Sequence, residues 1–175
     1  MATEQSIVHQ LCQEGWPFSW RQNFCCVPNV SYGLLPWEAD LLVCTKAGFQ
    51  IEVEVKVSAA DWRGDSKKKK FLYRNDPALA QTPHVKAWTR IRDFWYAAPM
   101  ELAAKWESMG IPEWAGVMGV NPDAARWMDG YKLFRPPVSN RKALKLTDLE
   151  KAHLARLGSI RVWTAKPTQP TEKKP

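Results

Sequence analysis

Few of the usual signatures of function occur in this sequence. The four cysteines, Cys12, Cys25, Cys26 and Cys44, form no C-x-x-C pair. Adjacent Cys25 and Cys26 are a poor start for a disulfide framework or a zinc site, so reduced thiols in a cytosolic protein are expected. The three histidines, His9, His84 and His153, have no companion at metal-ligand spacing and read as surface or capping residues. There is no G-x-x-x-x-G-K phosphate cradle, no G-x-S-x-G elbow and no dinucleotide fingerprint. No apolar run approaches bilayer length, and no basic stretch leads into an apolar one near the start. Neither a membrane partner nor a signal peptide is expected, and the expected setting is the cytoplasm of a bacterial or phage-infected cell.

What the chain does carry is positive charge and indole. Lys and Arg number 25 against 18 Asp and Glu, a net charge of +7. Such a balance attracts polyanions, of which nucleic acid is the commonest in a cell. Most of the ten tryptophans belong in a core, while Trp16, Trp20 and Trp37 are candidates to stack on bases, with core packing the favoured alternative. The length of 175 residues suits one domain, placed at 1–165. Residues 166–175, rich in Pro, Thr and Lys, read as a disordered tail.

Periodicity predicts a helix over 4–14, with Ile7, Val8, Leu11 and Cys12 on one stripe. Strands are predicted near 22–27, 38–44 and 49–57. Ser58 reads as the N-cap of a helix that is interrupted near Gly64 and resumes through the lysines to Tyr73, before a loop over 74–83. A short basic helix over His84–Arg92, a strand Phe94–Ala97, and a helix opened by Pro99 with Leu102, Ala103 and Trp106 follow. Ala115–Val120 is a further strand. Thr147-x-x-Glu150 opens a last helix that Gly158 ends, with a strand over Ile160–Thr164. The alternation implies an α/β domain around a small mixed sheet flanked by helices.

The chemistry concentrates in one hairpin. Gly48 suits the left-handed position of a three-residue loop, Lys46-Ala47-Gly48, which sets Thr45 opposite Phe49. Leu42 then faces Glu52, Asp40 faces Glu54, and Glu38 faces Lys56. One face carries Glu38, Asp40, Glu52, Glu54 and Lys56; the other carries Leu41, Val43, Ile51, Val53, Val55 and Val57 and belongs to the core. The pattern also fits a plain strand with one wet face. Two facts favour a metal site: directly opposed like charges destabilise a hairpin unless a cation sits between them, and Mg²⁺ is usually held by one or two carboxylates plus water and phosphate. Lys56 on the same face could orient an attacking water, and the Val55 carbonyl is a further candidate ligand.

An Asp on one strand and Glu-x-Lys on the next, between two helices, resembles the PD-(D/E)XK nuclease superfamily. Glu54-Val-Lys-Val-Ser-Ala-Ala-Asp-Trp62, with Asp65 and the lysines after it, is similar to the MmcB-like DNA-repair and prophage branch. So are Asp93-Phe-Trp-Tyr-Ala-Ala-Pro99 and Ile111-Pro-Glu-Trp-Ala-Gly116, while 121–175 match nothing comparable. The resemblance implies an αβββαβ core of restriction-endonuclease type, Mg²⁺ or Mn²⁺, and hydrolysis of DNA phosphodiester bonds in repair, recombination or phage biology. It maps Asp40, Glu54 and Lys56 onto the motif and points to a first-helix acid, Glu4 ahead of Glu14. Ala39 stands where the family's proline usually precedes the motif Asp.

Lys67, Lys68, Lys69 and Lys70, with Lys86 and Arg90, are the expected nucleic-acid contacts, Arg92 extending the track. The partner is expected to be DNA, with RNA and a homodimer left open. A catalytically silent nucleic-acid-binding protein of the same fold and a phage-type inhibitor are the rival classes.

Overall fold

A computed structural model of the chain describes residues 2–14, 18–19, 21–30, 34–65, 68, 87–124 and 127–164. The first helix, α1 (Glu4–Glu14), opens where Thr3 and Ser6 exchange bonds, Ser6 N–H donating to Thr3 Oγ1 at 3.1 Å and Thr3 N–H to Ser6 Oγ at 2.9 Å. Three strands follow: β1 (Asn23–Val30), β2 (Ala39–Thr45) and β3 (Gln50–Val55). Then come α2 (Ala59–Gly64), β4 (Ile91–Pro99), the single-turn helix α3 (Met100–Ala103), β5 (Gly116–Val120), β6 (Tyr131–Arg135) and α4 (Asp148–Thr164). Short 3₁₀ turns lie at Trp106–Met109 and Trp127–Gly130.

One sheet organises all of this, with the strands side by side in chain order β1 to β6. The meander β1–β2–β3 and the last pair β5–β6 are antiparallel, and β3, β4 and β5 run parallel. A parallel pair needs a crossover, and α2 with the chain after it supplies the one between β3 and β4. The first six elements therefore run αβββαβ.

Both faces of the sheet are covered. The stripe Ile7, Val8 and Leu11 of α1 packs on Leu41, Val43, Ile51, Val53, Val55, Trp95 and Ala97. On the other face, Trp62 of α2 and Leu154 of α4 join Trp37, Trp88, Phe94 and Tyr96. Here the rings interlock, Trp62 to Tyr96 at 5.4 Å and Phe94 edge-on to Tyr96 at 5.2 Å. Each such pair adds about 0.5–1.5 kcal/mol beyond area burial. The consequence for the hairpin is a correction: its polar face is not wet. Glu52, Glu54 and Lys56 are 0%, 2% and 2% exposed, because β3 is a central strand with α2 over its end. Val57, expected in the core, is exposed.

The hairpin register holds as expected. Leu42 pairs with Glu52 and Leu41 with Val53, Thr45 N–H donates to Phe49 O at 2.9 Å, and Gly48 has φ +89°. Three other expectations fail. Arg92 lies in β4 rather than a basic helix, of which only a turn at 87–88 precedes the strand within the described residues. Trp106 sits in a 3₁₀ turn after α3. Gly158 does not end α4, and Ile160–Thr164 are helical rather than a strand. A Cβ at Gly158 would lie 3.3 Å from Val27, so this glycine serves the close approach of α4 to β1.

Candidate metal and phosphodiester site

The carboxylates converge where β3 and β4 end, the side of a parallel pair on which α/β proteins commonly bind ligands. Regular pairing of β2 with β3 is recorded only as far as Leu41. One residue further, the side chain of Asp40 meets β3: Val55 N–H donates to Asp40 Oδ2 at 2.6 Å. Burial first, and the neighbouring Glu54 carboxylate next, push the Asp40 carboxyl up to about 7. The Val55 amide pulls the other way, as a donor to a carboxylate must. Asp40 and Glu54 are thus close enough to repel.

Lys56 reaches into this group from the residue after β3. Its Nζ lies 2.9 Å from Glu54 Oε1, 2.8 Å from Asp65 Oδ1 and 3.6 Å from Asp61 Oδ1. Glu38, its expected cross-strand partner, precedes β2 on the exposed surface instead. Ser58 builds the platform for the two aspartates by capping α2, accepting from Asp61 N–H at 3.1 Å. Asp61 and Asp65 stand four residues apart and so share one helical face.

Asp65, 2% exposed, also meets Lys68 Nζ at 2.9 Å, and the same ammonium contacts Glu54 Oε1. Burial opposes the charged form of Lys68, but Glu54 and Asp65 outweigh it and its pKa is raised. Tyr96, opposite Glu54 in the parallel register, closes the floor. Burial first, then the charges of Asp65 and Glu54, push its phenol well above the usual tyrosine range and keep it protonated. One step deeper, Glu52 accepts Trp37 Nε1 at 3.1 Å on both oxygens. Trp37 is buried against Trp88, which makes it core rather than a base-stacking ring.

Glu4 belongs to the same electrostatic group. Its carboxyl is raised by burial, then by Glu54 and Asp61, and it in turn raises Asp40. The first turn of α1 therefore faces the site across the end of the sheet. The Glu14 side chain, Trp16, Trp20, His84, Lys67, Lys69, Lys70 and Lys86 lie outside the described residues. Arg90 is brought elsewhere: its guanidinium contacts Glu150, whose other oxygen accepts Thr147 N–H at 2.8 Å in the capping box of α4. Lys68, expected on a phosphate track, is held by Glu54 and Asp65.

Among the described residues no three His, Cys, Asp or Glu side chains converge as a preformed metal cage. The donor set is of the two-carboxylate kind that suits Mg²⁺ or Mn²⁺. Asp40 and Glu54 repel in the absence of a cation, Glu4 is within electrostatic reach, and water and phosphate would fill the remaining positions. The residues fit the group.

Sequence reasoning assigned no role to Asp61, Asp65 or Tyr96. The spacing of the two aspartates after Glu54-x-Lys56 was a visible signal; Tyr96 needed the β3–β4 register.

No family model matches the chain, and no curated protein does. Among solved structures, a protein of unknown function from Silicibacter pomeroyi is similar, with a TM-score of 0.56 and 14% identity over 93% of this chain and 88% of that one. At that identity the likeness speaks to the α/β fold alone.

Proposed function

We propose that this chain is a Mg²⁺- or Mn²⁺-dependent nuclease of PD-(D/E)XK type that hydrolyses phosphodiester bonds in DNA. The observation that carries the reading is the grouping at one strand end of Asp40, Glu54 and a Lys56 fixed between two carboxylates. Asp40 and Glu54 would hold the ion, with the Val55 carbonyl and Glu4 completing the protein's share. The metal supplies Lewis acidity and neutralises charge at the scissile phosphate.

The residues of the chain do the positioning. Glu54 and Asp65 clamp the Lys56 ammonium at 2.9 and 2.8 Å, so it needs little reorganisation to orient a water or offset charge on the phosphorus. Ser58, by capping α2, sets where Asp61 and Asp65 stand. Repair, recombination or phage biology, with a cytoplasmic location, completes the proposal.

A catalytically silent nucleic-acid-binding protein of the same fold is the second reading. The contact of Lys68 with Glu54 favours it, because a tethered ammonium already neutralises a proposed ligand. Cleavage of supercoiled plasmid with Mn²⁺ and with EDTA, by wild type, Asp40→Asn and Glu54→Gln, separates the two. The nuclease nicks DNA only as wild type with metal; the silent protein never does.

A further inference from the structure

The net positive charge is not spread over the chain. Residues 131–164 hold eight lysines and arginines against two acids, six of the seven net charges. Part of this segment is carried to the hairpin tip, the end of the sheet away from the carboxylates. An irregular strap over 139–146 crosses the strand starts there. Asn140 N–H donates to Arg92 O at 2.7 Å, Leu144 N–H to Thr89 O at 3.0 Å and Leu146 N–H to Gly48 O at 2.9 Å.

Arg141, Lys142 and Lys145 of the strap are exposed, as is Lys46 of the hairpin loop, and Lys145 packs against that loop, its Cβ 3.6 Å from where a Cβ on Gly48 would stand. Phe49 organises the group, with the Arg92 guanidinium 4.7 Å and Lys145 Nζ 5.2 Å from its ring centre. Stacking leaves the plane of the guanidinium open, so that beside its Nε contact with Asp93 it still has terminal N–H donors to offer a phosphate. The acids at this end are taken: Asp93 by Ser139 and Arg92, Asp148 by Lys151, and Glu150 by Arg90 and Thr147. Lys46, Arg141, Lys142 and Lys145 have no carboxylate partner among the described residues.

We propose that this end of the sheet is a phosphate-backbone anchor for nucleic acid, built from Lys46, Arg92, Arg141, Lys142 and Lys145. It rests on the nucleic-acid part of the proposed function and adds the place where the polymer is held. Five residues of β3 separate the tip from the carboxylates, about 16 Å at 3.3 Å per residue. That is about five base pairs of duplex, so one duplex reaches both ends.

The test is fluorescence anisotropy of a 30-base-pair duplex in EDTA over a potassium chloride series. The tip variant is Arg141→Glu/Lys142→Glu/Lys145→Glu; the control, Lys105→Glu/Lys132→Glu/Arg156→Glu, changes net charge equally on other exposed surfaces. Each lost phosphate contact lowers the slope of log affinity against log salt by about 0.9. The tip variant should lose about 2–3 from the slope and at least tenfold in affinity with an unchanged melting temperature, and the control should lose far less. Equal losses in both variants, no loss in the tip variant, or wild-type binding to phosphatidylserine vesicles but not to duplex would overturn the anchor. Duplex binding through the tip without plasmid cleavage would sink the nuclease and keep the anchor; cleavage with an unaltered slope would do the reverse.

Discussion

Replacing Lys56 by methionine keeps the length of the side chain and removes its ammonium. Glu54 and Asp65, each 2% exposed, then lose the partner that stood 2.9 and 2.8 Å away. Breaking a buried ion pair by deleting one member costs about 3–5 kcal/mol, because a charge is left uncompensated. Lys68 still contacts both carboxylates, which places the cost near about 3 kcal/mol. For a protein of this size that is about 6–12 °C of melting temperature in EDTA. An exposed cross-strand pair, by contrast, would be worth at most about 1 kcal/mol. Added Mn²⁺ should restore part of the loss, about 2.7 kcal/mol at a hundred times its dissociation constant. Turnover should fall by about 10²-fold or more while duplex affinity holds. Differential scanning fluorimetry with and without Mn²⁺, beside single-turnover cleavage, reads all three. A melting temperature in EDTA within about 2 °C of wild type would refute the buried clamp.

The raised Asp40 carboxyl gives a pH signature. Its folded pKa of about 7 exceeds the 3.8 of an ordinary aspartate, so its stabilising effect is present below about pH 4 and lost as pH rises through 7. Urea unfolding in EDTA should therefore show stability falling by about 1–2 kcal/mol over that window after solvent screening, and Asp40→Asn should flatten that fall; identical profiles would remove Asp40 from the carboxylate pair. Arg90→Ala and Lys68→Ala should leave the salt slope of duplex binding unchanged, because their charges are engaged by Glu150 and by Glu54 with Asp65. A drop of about 0.9 for either would return that residue to the phosphate track.

The hairpin was legible because its determinants are local: a glycine at φ +89° fixes the loop, and strict alternation then fixes which residues share a face. Burial of that face was not legible. It depends on α2 and the ring cluster around Tyr96, which reach β3 only through the parallel pairing with β4. The first helix, the three strands after it and the Ser58-capped helix followed from periodicity, turn and cap signals, and the Thr147–Glu150 box appeared as read. Gly158 misled because the same residue that ends helices also admits close packing, and only the approach to Val27 tells the two apart. The basic runs were only partly legible for a related reason. Charge counts along the chain do not say which lysines already face a carboxylate, and Arg90 and Lys68 do.

The most direct test of the proposed chemistry is plasmid nicking by wild type, Asp40→Asn and Glu54→Gln at equal protein concentration, with Mn²⁺ and with EDTA, after each variant is shown to keep its metal-free fold. Nicking by wild type with Mn²⁺ alone, lost in both variants, is the expected result. Wild type that leaves the plasmid intact with Mn²⁺, or variants that nick as fast as wild type, would contradict it.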